Sequence, residues 1–188
     1  MQLPGYGERK NETGGKHSGW PALRQEQLET LAVKHTGMAV TIDIGDKSVH
    51  PPNKVDTGKR LARLALYHDY GFTKQAPTGP LYQSHRINGP AVHIQFKHAA
   101  GLMIAKKQGL QQPKPVQGEP IQCLTLMDKQ GKWHPAEGRI DGEGLVITSK
   151  LVPEPIAARY AYSPHPAGPL LYNKDGLPAS PFTTERAE

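Results

Sequence analysis

The sequence lacks the features that mark several large protein classes. It contains one cysteine, Cys123, so no disulfide can form within the chain. Aromatic residues make up only 6%, and no apolar run approaches the ~20 residues that a membrane helix requires. Residues 1–5 have neither the basic start nor the apolar run of a signal peptide. We therefore expect a folded protein with no membrane partner, and the residues present carry no recognisable targeting signal.

Charge of one sign is not concentrated anywhere in the chain. The 23 Lys and Arg residues exceed the 17 Asp and Glu residues, but the two kinds are interleaved. Nucleic-acid-binding proteins gather basic residues into a patch or stripe, so we expect no nucleic-acid partner. The best-spaced histidine pair, His93 and His98, falls on opposite faces of a strand with no acid or thiol cluster to complete a shell. No metal site and no cofactor are predicted.

Residues 1–76 have the pattern of an α-β-α unit. Residues 20–33 are predicted as an amphipathic helix, residues 38–44 as an apolar strand, and residues 53–70 as a second helix capped by Asn53. Such a unit normally adds its strand to a parallel sheet covered by helices, and alone it would expose apolar surface. The first helix is expected to bury Trp20, Leu23, Leu28 and Leu31 and to expose Arg24, Glu26 and Glu29.

From residue 77 onward the pattern is typical of an all-β domain, in keeping with the 20 glycines and 18 prolines of the chain. Turns at residues 88–89, 129–131 and 141–144 are predicted to close hairpins. We expect a β-sandwich of about six to eight strands, in which residues 101–120 form a surface loop. The predicted strands are residues 81–87, 91–98, 121–129 (with Cys123 buried), 132–140, 145–149 and 156–162.

A histidine lies between the predicted strand 38–44 and the second helix. One ring nitrogen of His50 can take a proton from a nucleophile while a partner holds the other nitrogen. Asp46, Asp43 or a backbone carbonyl could orient the ring. We favour Asp46, although an aspartate after a glycine also suits a turn that bonds its own backbone.

Several short motifs occur along the chain. They are Gln2-Leu-Pro, Ser18-Gly-Trp, residues 36–46, His50-Pro-Pro-Asn-Lys, Gly58-Lys-Arg-Leu-Ala, Gly79-Pro-Leu-Tyr, Pro135-Ala-Glu, Arg159-Tyr-Ala and residues 171–182. Over nearly its whole length the chain resembles the C-terminal half of a sialate O-acetylesterase, a member of the SGNH (GDSL-like) hydrolases. The resemblance implies an α/β plus all-β fold: the C-terminal piece of a flavodoxin-like hydrolase domain in residues 1–76 and a β-sandwich domain in residues 77–188.

The resemblance also implies hydrolysis of O-acetyl esters on sugars by a Ser/His mechanism, with His50 as the base. The family tends to place an aspartate two or three residues before this histidine, where the present chain has Ser48 and Lys47. The family's serine block, Ser-Gly-Gln-Ser-Asn-Met, occurs nowhere in the 188 residues, and no Gly-x-Ser-x-Gly motif replaces it. We therefore expect the nucleophile on an N-terminal hydrolase segment of a longer parent chain, and Ser48 as a loop hydroxyl.

Proteins of this family are usually exported, which implies a periplasmic or secreted location. An alternative hypothesis is a non-catalytic module whose β-sandwich binds glycans or a protein partner. Candidates for stacking on a sugar ring are Trp133, Tyr160, Tyr162 and Tyr172, although core packing is the commoner role of aromatic residues in strands.

Overall fold

The computed structural model describes residues 1–11 and 19–185 and consists mainly of antiparallel sheet. Helix α1 spans Gly19–Glu29 and helix α2 spans Lys54–His68. Short 3-10 turns lie at Thr30–Ala32 and Ile42–Ile44. The strands are β1 Leu81–Asn88, β2 Ala91–Lys97, β3 Met103–Lys106, β4 Lys114–Pro115, β5 Leu124–Met127, β6 Trp133–Pro135, β7 Glu137–Asp141, β8 Gly144–Thr148, β9 Ala157–Tyr160, β10 Leu170–Tyr172 and β11 Phe182–Thr183. Ser18 of the motif Ser18-Gly-Trp and the last three residues of the predicted second domain lie outside the described residues.

Helix α1 forms where it was predicted, but two of its residues face the opposite way. Arg24 is completely buried and Leu23 is 49% exposed, so both assignments were wrong. The guanidinium of Arg24 donates to four backbone carbonyls, which replaces the water it loses on burial. Leu28 is buried as expected. Helical periodicity predicted Leu28 as buried and Glu26 and Glu29 as exposed, whereas hydrogen bonds to distant segments placed Arg24 inside the molecule.

Helix α2 confirms the second predicted helix to within two residues at either end. The side chain of Asn53 caps it by accepting a hydrogen bond from the backbone N–H of Asp56 at 3.0 Å. Gly71, with φ of 72°, follows the end of the helix as expected. Only Arg60 and Leu64 of this helix are buried, so most of its apolar side chains face outward.

The predicted strand at residues 38–44 is not formed within the described residues. Its first half is buried and irregular, and its second half is a 3-10 turn. Its carbonyls are bonded individually: that of Ala39 accepts from the backbone N–H of Gln2 at 2.9 Å, and that of Val40 accepts from Arg60 Nη1 at 2.7 Å. Without neighbouring strands to form a ladder, one backbone N–H and one side chain satisfy these two carbonyls. The flavodoxin-like arrangement stays a prediction.

Three antiparallel sheets form the rest of the molecule, with strand orders β1-β2-β8-β7, β10-β3-β4 and β11-β9-β5-β6. The three predicted hairpin turns join β1 to β2, β5 to β6 and β7 to β8, so these predictions are confirmed. The predicted strand 132–140 is two strands, because β6 pairs with β5 whereas β7 pairs with β8 in another sheet. The break allows the chain to pass from one sheet to the next.

The expectation that residues 101–120 form a surface loop was wrong. Strands β3 and β4 lie within this interval, and Ala105 at the centre of β3 is completely buried. Strand β3 pairs with β10, which the sequence pattern also missed. Both strands are short, and a three- or four-residue apolar run does not by itself distinguish a strand from a loop.

Residues from both predicted domains contribute to one hydrophobic cluster. Leu28, Met38 and Val40 from the first part pack in the same cluster as Val92 and Leu126 from the sheets. Cys123 is buried there as expected, and burial raises the pKa of its thiol to about 12. Residues on both sides of the predicted boundary between residues 76 and 77 therefore share one core. The division of the chain into two domains stays a prediction.

Candidate functional site

His50 lies at the end of an exposed loop, residues 45–52, which we call the His50 loop. The loop runs from the 3-10 turn Ile42–Ile44 to the cap of α2. The His50 side chain is exposed, and its backbone N–H donates to Ser48 Oγ at 3.1 Å. Ser48 is thus a loop hydroxyl that organises the turn, as predicted. No serine hydroxyl is hydrogen-bonded to the His50 ring in the part of the chain that the structure describes.

The Asp46 side chain bonds within its own turn. Its Oδ1 accepts the backbone N–H of Lys47 at 2.8 Å, and no hydrogen bond joins it to the His50 ring among residues 1–11 and 19–185. Lys47 in turn pairs with Glu8 across the surface at 2.9 Å. An orienting role of Asp46 toward His50 therefore stays a prediction, and it requires Asp46 to exchange its bond to the turn for one to the ring.

Asp43, the other acid considered for His50, is bound to a different partner. Its carboxylate forms a two-point ion pair with Arg60 of α2, at 2.6 and 2.8 Å. The Tyr172 hydroxyl donates to the same carboxylate at 3.4 Å, and burial with nearby Asp43 raises the pKa of that phenol. Asp43 thereby ties the segment before the His50 loop to α2 and to β10.

A short N-terminal segment, residues 3–7, holds the His50 loop from the other side; we call it the strap. The backbone N–H of Asp46 donates to the Gly5 carbonyl at 3.2 Å, and the N–H of Gly7 donates to the Asp46 carbonyl at 3.1 Å. A Cβ on Gly45 would collide with the Gly5 backbone, so the two chains approach this closely only because residue 45 has no side chain. The position of Asp46 therefore depends on the strap.

Arg24 fixes the strap from inside the molecule. Its Nε and Nη2 donate to the carbonyls of Leu3 and Pro4, at 2.8 and 2.6 Å. Its Nη1 and Nη2 also donate to the carbonyls of Ser163 and Pro164, at 2.8 and 2.6 Å. Burial lowers the pKa of Arg24 to about 9. Sequence reasoning missed this residue because an arginine on an amphipathic helix is normally assigned to the solvent face.

His165 lies on the opposite side of the strap and was also missed. Its Nδ1 is 2.7 Å from the Gly7 carbonyl, which makes Nδ1 the protonated nitrogen of the neutral ring. Its Nε2 is buried with no hydrogen-bond partner among the described residues. A Cβ on Gly5 would overlap the His165 ring. The only sequence signal was a histidine between two prolines, in residues 164–166, which carries no specific meaning.

A cavity of about 230 Å³ opens beside these residues. Ile42 and Asp43, which lead into the His50 loop, line it together with His165. Arg9, Lys106 and Lys107 bring positive charge to its wall, although Lys107 is paired with Asp56 at 2.7 Å. The cavity is smaller than the ~300–1,000 Å³ of drug-sized sites, so it suits one small polar group or a single sugar unit.

The fold resembles that of a solved structure. A solved structure, a carbohydrate acetylesterase from Xanthomonas citri, superposes with a TM-score of 0.82 and 33% sequence identity. The match covers 98% of this chain. It covers 40% of the Xanthomonas protein, so the chain spans about two fifths of that length. No protein-family model and no curated protein sequence matches.

The four aromatic candidates for sugar contact lie inside the molecule. Tyr160 and Tyr172 are 0% and 1% exposed. Trp133 and Tyr162 enclose the guanidinium of Arg159, at 3.9 and 4.3 Å from their ring centres. These contacts fit cation–π packing, so the hypothesis of an aromatic sugar platform on these residues was wrong.

No group of three or more His, Cys, Asp or Glu residues could hold a metal ion among residues 1–11 and 19–185. Neither described helix is long and apolar enough to cross a bilayer.

Proposed function

We propose that this chain is the part of a carbohydrate O-acetylesterase that supplies the catalytic base. The observation that carries the proposal is the match of 98% of the chain, at 33% identity, to part of a carbohydrate acetylesterase. The exposure of His50 at the end of its loop supports it, because a base must be reachable from outside the segment that holds it.

The chemistry needs one proton carrier and one nucleophile. His50 removes the proton of a serine hydroxyl as the serine oxygen attacks the acetyl carbonyl, and returns it to the sugar oxygen when the C–O bond breaks. Water then attacks the acetyl-serine with the same histidine as base, which releases acetate and restores the serine. Asp46 orients the ring after it leaves its bond to the Lys47 N–H. The reaction needs no cofactor, because serine and histidine supply the nucleophile and the proton transfer.

The serine belongs, in this proposal, to a second segment that packs on α2. Large apolar side chains are exposed on this helix and just after it: Leu61 and Leu66 are each 44% exposed, Tyr70 is 72% exposed and Phe72 is 65% exposed. Large exposed apolar patches mark sites of association, and these four side chains are the proposed members of one. The length supports the same idea, since 60% of the Xanthomonas protein lies outside the match.

The cavity of about 230 Å³, which Ile42 and Asp43 line just before the His50 loop begins, is the proposed position of the sugar unit. Arg9 is exposed at its edge, and no hydrogen bond or ion pair of this residue is found within the described residues. A guanidinium there suits the carboxylate of an acidic sugar, which supports the sialate type. Neutral acetylated sugars suit the same reaction, and a comparison of the two substrate kinds decides between them.

The alternative function is a non-catalytic module. It is favoured by the absence of the serine block from the sequence. Glycan binding through the four aromatic candidates is no longer available to this hypothesis, because these side chains are buried or packed on Arg159. Binding of a protein partner through α2 remains, and it differs from the proposed function only in whether His50 takes part in chemistry.

A hybrid protein tests the proposal directly. In this hybrid the present chain replaces the 40% of the Xanthomonas enzyme that it matches, and acetate release is measured from an aryl acetate, an O-acetylated sialic acid and a neutral acetylated sugar. We expect His50→Ala to lower kcat/KM by about 10³-fold or more. The control variant His35→Asn changes another exposed histidine, at φ of 61°, and should leave the rate unchanged. An active hybrid that is indifferent to His50→Ala would refute the proposal.

A further inference from the structure

We propose that Arg24 and His165 are positioning residues that hold the His50 loop through the strap, and that protonation of His165 releases the loop. The strap is the only described segment bonded to Asp46 by the backbone, through Gly5 and Gly7. Whatever fixes the strap therefore fixes the start of the His50 loop.

Arg24 supplies the part of this attachment that does not depend on the protonation of His165. It joins the strap to residues 163–164 through four carbonyls, and it is completely buried. The Pro4 carbonyl accepts a further bond from Trp20 Nε1 at 2.7 Å, and the Tyr6 N–H donates to the Pro164 carbonyl at 3.0 Å. A lysine has a single ammonium and cannot reach four acceptors in this fork geometry.

His165, the strap and the His50 loop form three layers in direct contact. The His165 ring lies against Gly5, and the Gly5 backbone lies against Gly45; a Cβ on either glycine would overlap the neighbouring layer. Displacement of the ring therefore removes the packing that holds Gly5 against Gly45.

The His165 ring can keep this arrangement only while it is neutral. Nδ1 donates to the Gly7 carbonyl, and Nε2 is a buried acceptor without a partner in the described part of the chain. Protonation would place a second N–H where no described residue accepts it and would add a charge to a buried ring. Burying an unsatisfied donor or a charge is costly, so the ring moves out when it takes a proton from solvent.

Most of the charges that face His165 oppose its protonation. Burial lowers its pKa most, and Arg9 on the segment after the strap and Arg24 on α1 lower it further. The hydrogen bond to the Gly7 carbonyl and the charge of Asp46 act in the opposite direction. The remaining charged groups near it are Lys10, whose backbone N–H bonds the His165 carbonyl, and Asp43, Lys106 and Lys107 across the cavity.

The sign of the pH effect follows from this direction. A histidine whose pKa falls on folding stabilises the folded arrangement fully above its usual value near 6.5 and loses that contribution as the pH falls toward the lower, folded value. The strap is therefore closed at neutral pH and opens in acid. One proton taken up on opening changes the opening equilibrium by up to about tenfold per pH unit in this window.

Hydrogen exchange by NMR measures the opening. The Asp46 and Gly7 amides donate to the carbonyls described above, so their protection factors report whether the strap and the loop are joined. In the 188-residue chain we expect both factors to fall by about threefold to tenfold per pH unit below about pH 6.5. The ladder amides of β5 and β9 should keep their protection, which verifies that the fold is intact.

Three variants separate the parts of the proposal. His165→Asn keeps a donor near the Nδ1 position but cannot be protonated, so protection should no longer depend on pH. Arg24→Lys should lower the protection of the Asp46 amide at least about threefold at every pH. His35→Asn removes an exposed histidine with φ of 61°, a conformation that asparagine tolerates, and should behave as the unmodified chain.

Three results would overturn the inference or one of its parts. A protection factor of Asp46 that stays constant from neutral to acid pH would remove the switch, as would an equal fall in His165→Asn. Unchanged protection in a folded Arg24→Lys variant would remove the positioning role of Arg24. The consequence for activity, a loss of kcat/KM in acid that His165→Asn corrects in the hybrid, rests on the proposed function. The exchange results stand even if the hybrid is inactive.

Discussion

The two parts of the molecule, residues 1–76 and residues 77–185, are held together by different means. The second part pairs its backbone in three antiparallel sheets. The first part has no ladder among its described residues and relies on buried charged side chains, chiefly Arg24 and Arg60, which bond backbone carbonyls directly. Of the fourteen most exposed large apolar side chains in the described residues, ten lie in the first part.

This difference concerns how the backbone polar groups are satisfied. The paired strands bond most of their own N–H and C=O groups to one another, while their apolar side chains share one cluster with Leu28, Met38 and Val40 of the first part. The first part keeps its irregular backbone in place by a few specific bonds and presents apolar residues to the outside. It also carries His50. We infer that the first part supplies the residue that takes part in the reaction, and that the second part supports it structurally.

The largest effect in this comparison is expected at the ion pair of Arg60 and Asp43. Arg60→Met leaves a buried carboxylate without its partner, because the two side chains are only 8% and 1% exposed. Loss of one partner of a buried pair costs about 3–5 kcal/mol. In the sheets, Arg139→Met breaks a pair that is 71% and 60% exposed, and should cost less than about 1 kcal/mol. Urea unfolding measures both, and equal losses would remove the contrast between the two parts.

A second variant tests whether the exposed apolar surface of α2 has a partner. Leu66→Gln should change the free energy of unfolding of the isolated chain by less than about 0.5 kcal/mol, as other surface changes do. In the hybrid we expect a loss of about 1.5–3 kcal/mol, because the leucine would be buried there. Leu151→Gln, at a residue that is 64% exposed beyond the β8 strand, should have no effect in either protein. Equal values for Leu66→Gln in chain and hybrid would argue against a partner at α2.

Two glycine variants of the first part test the close approach between the strap and the His50 loop. Gly45→Ala introduces a Cβ against the Gly5 backbone and should cost about 1–3 kcal/mol, with displacement of the strap. Gly58→Ala lies within α2 in open space and should add about 0.5–1 kcal/mol, since alanine is the better helix former. Thermal unfolding of both variants checks the opposite signs. A stabilising Gly45→Ala would contradict the close approach of strap and loop.

The sequence pattern was most reliable where structure is determined locally. Helix α2 was predictable because Asn53 caps it and Gly71 follows it, and the hairpin at Asn88-Gly89 because that dipeptide favours the turn. The strand at residues 38–44 was not formed, because a strand exists only if another segment pairs with it. Its periodicity alone could not reveal whether a partner lies within the described residues.

The candidate site was predictable only in its histidine. The sequence indicated His50 from its place between a predicted strand and the second helix, and its role stays a prediction, whereas Arg24 and His165 form hydrogen bonds with residues more than a hundred positions away in sequence. The close approaches at Gly5 and Gly45 likewise bring together segments distant in the chain. Positions of this kind carry no local pattern, because their roles arise from tertiary contacts.

The central proposal is that this chain supplies the histidine and a second segment supplies the serine. Covalent labelling of the hybrid tests it most directly. A fluorophosphonate attaches to an activated serine, and peptide mass spectrometry locates the adduct. The account predicts one adduct on a serine in the Xanthomonas-derived part, with a labelling rate that falls at least about a hundredfold in His50→Ala. An adduct on a serine of the present chain, or a rate that is the same in His50→Ala, would contradict it.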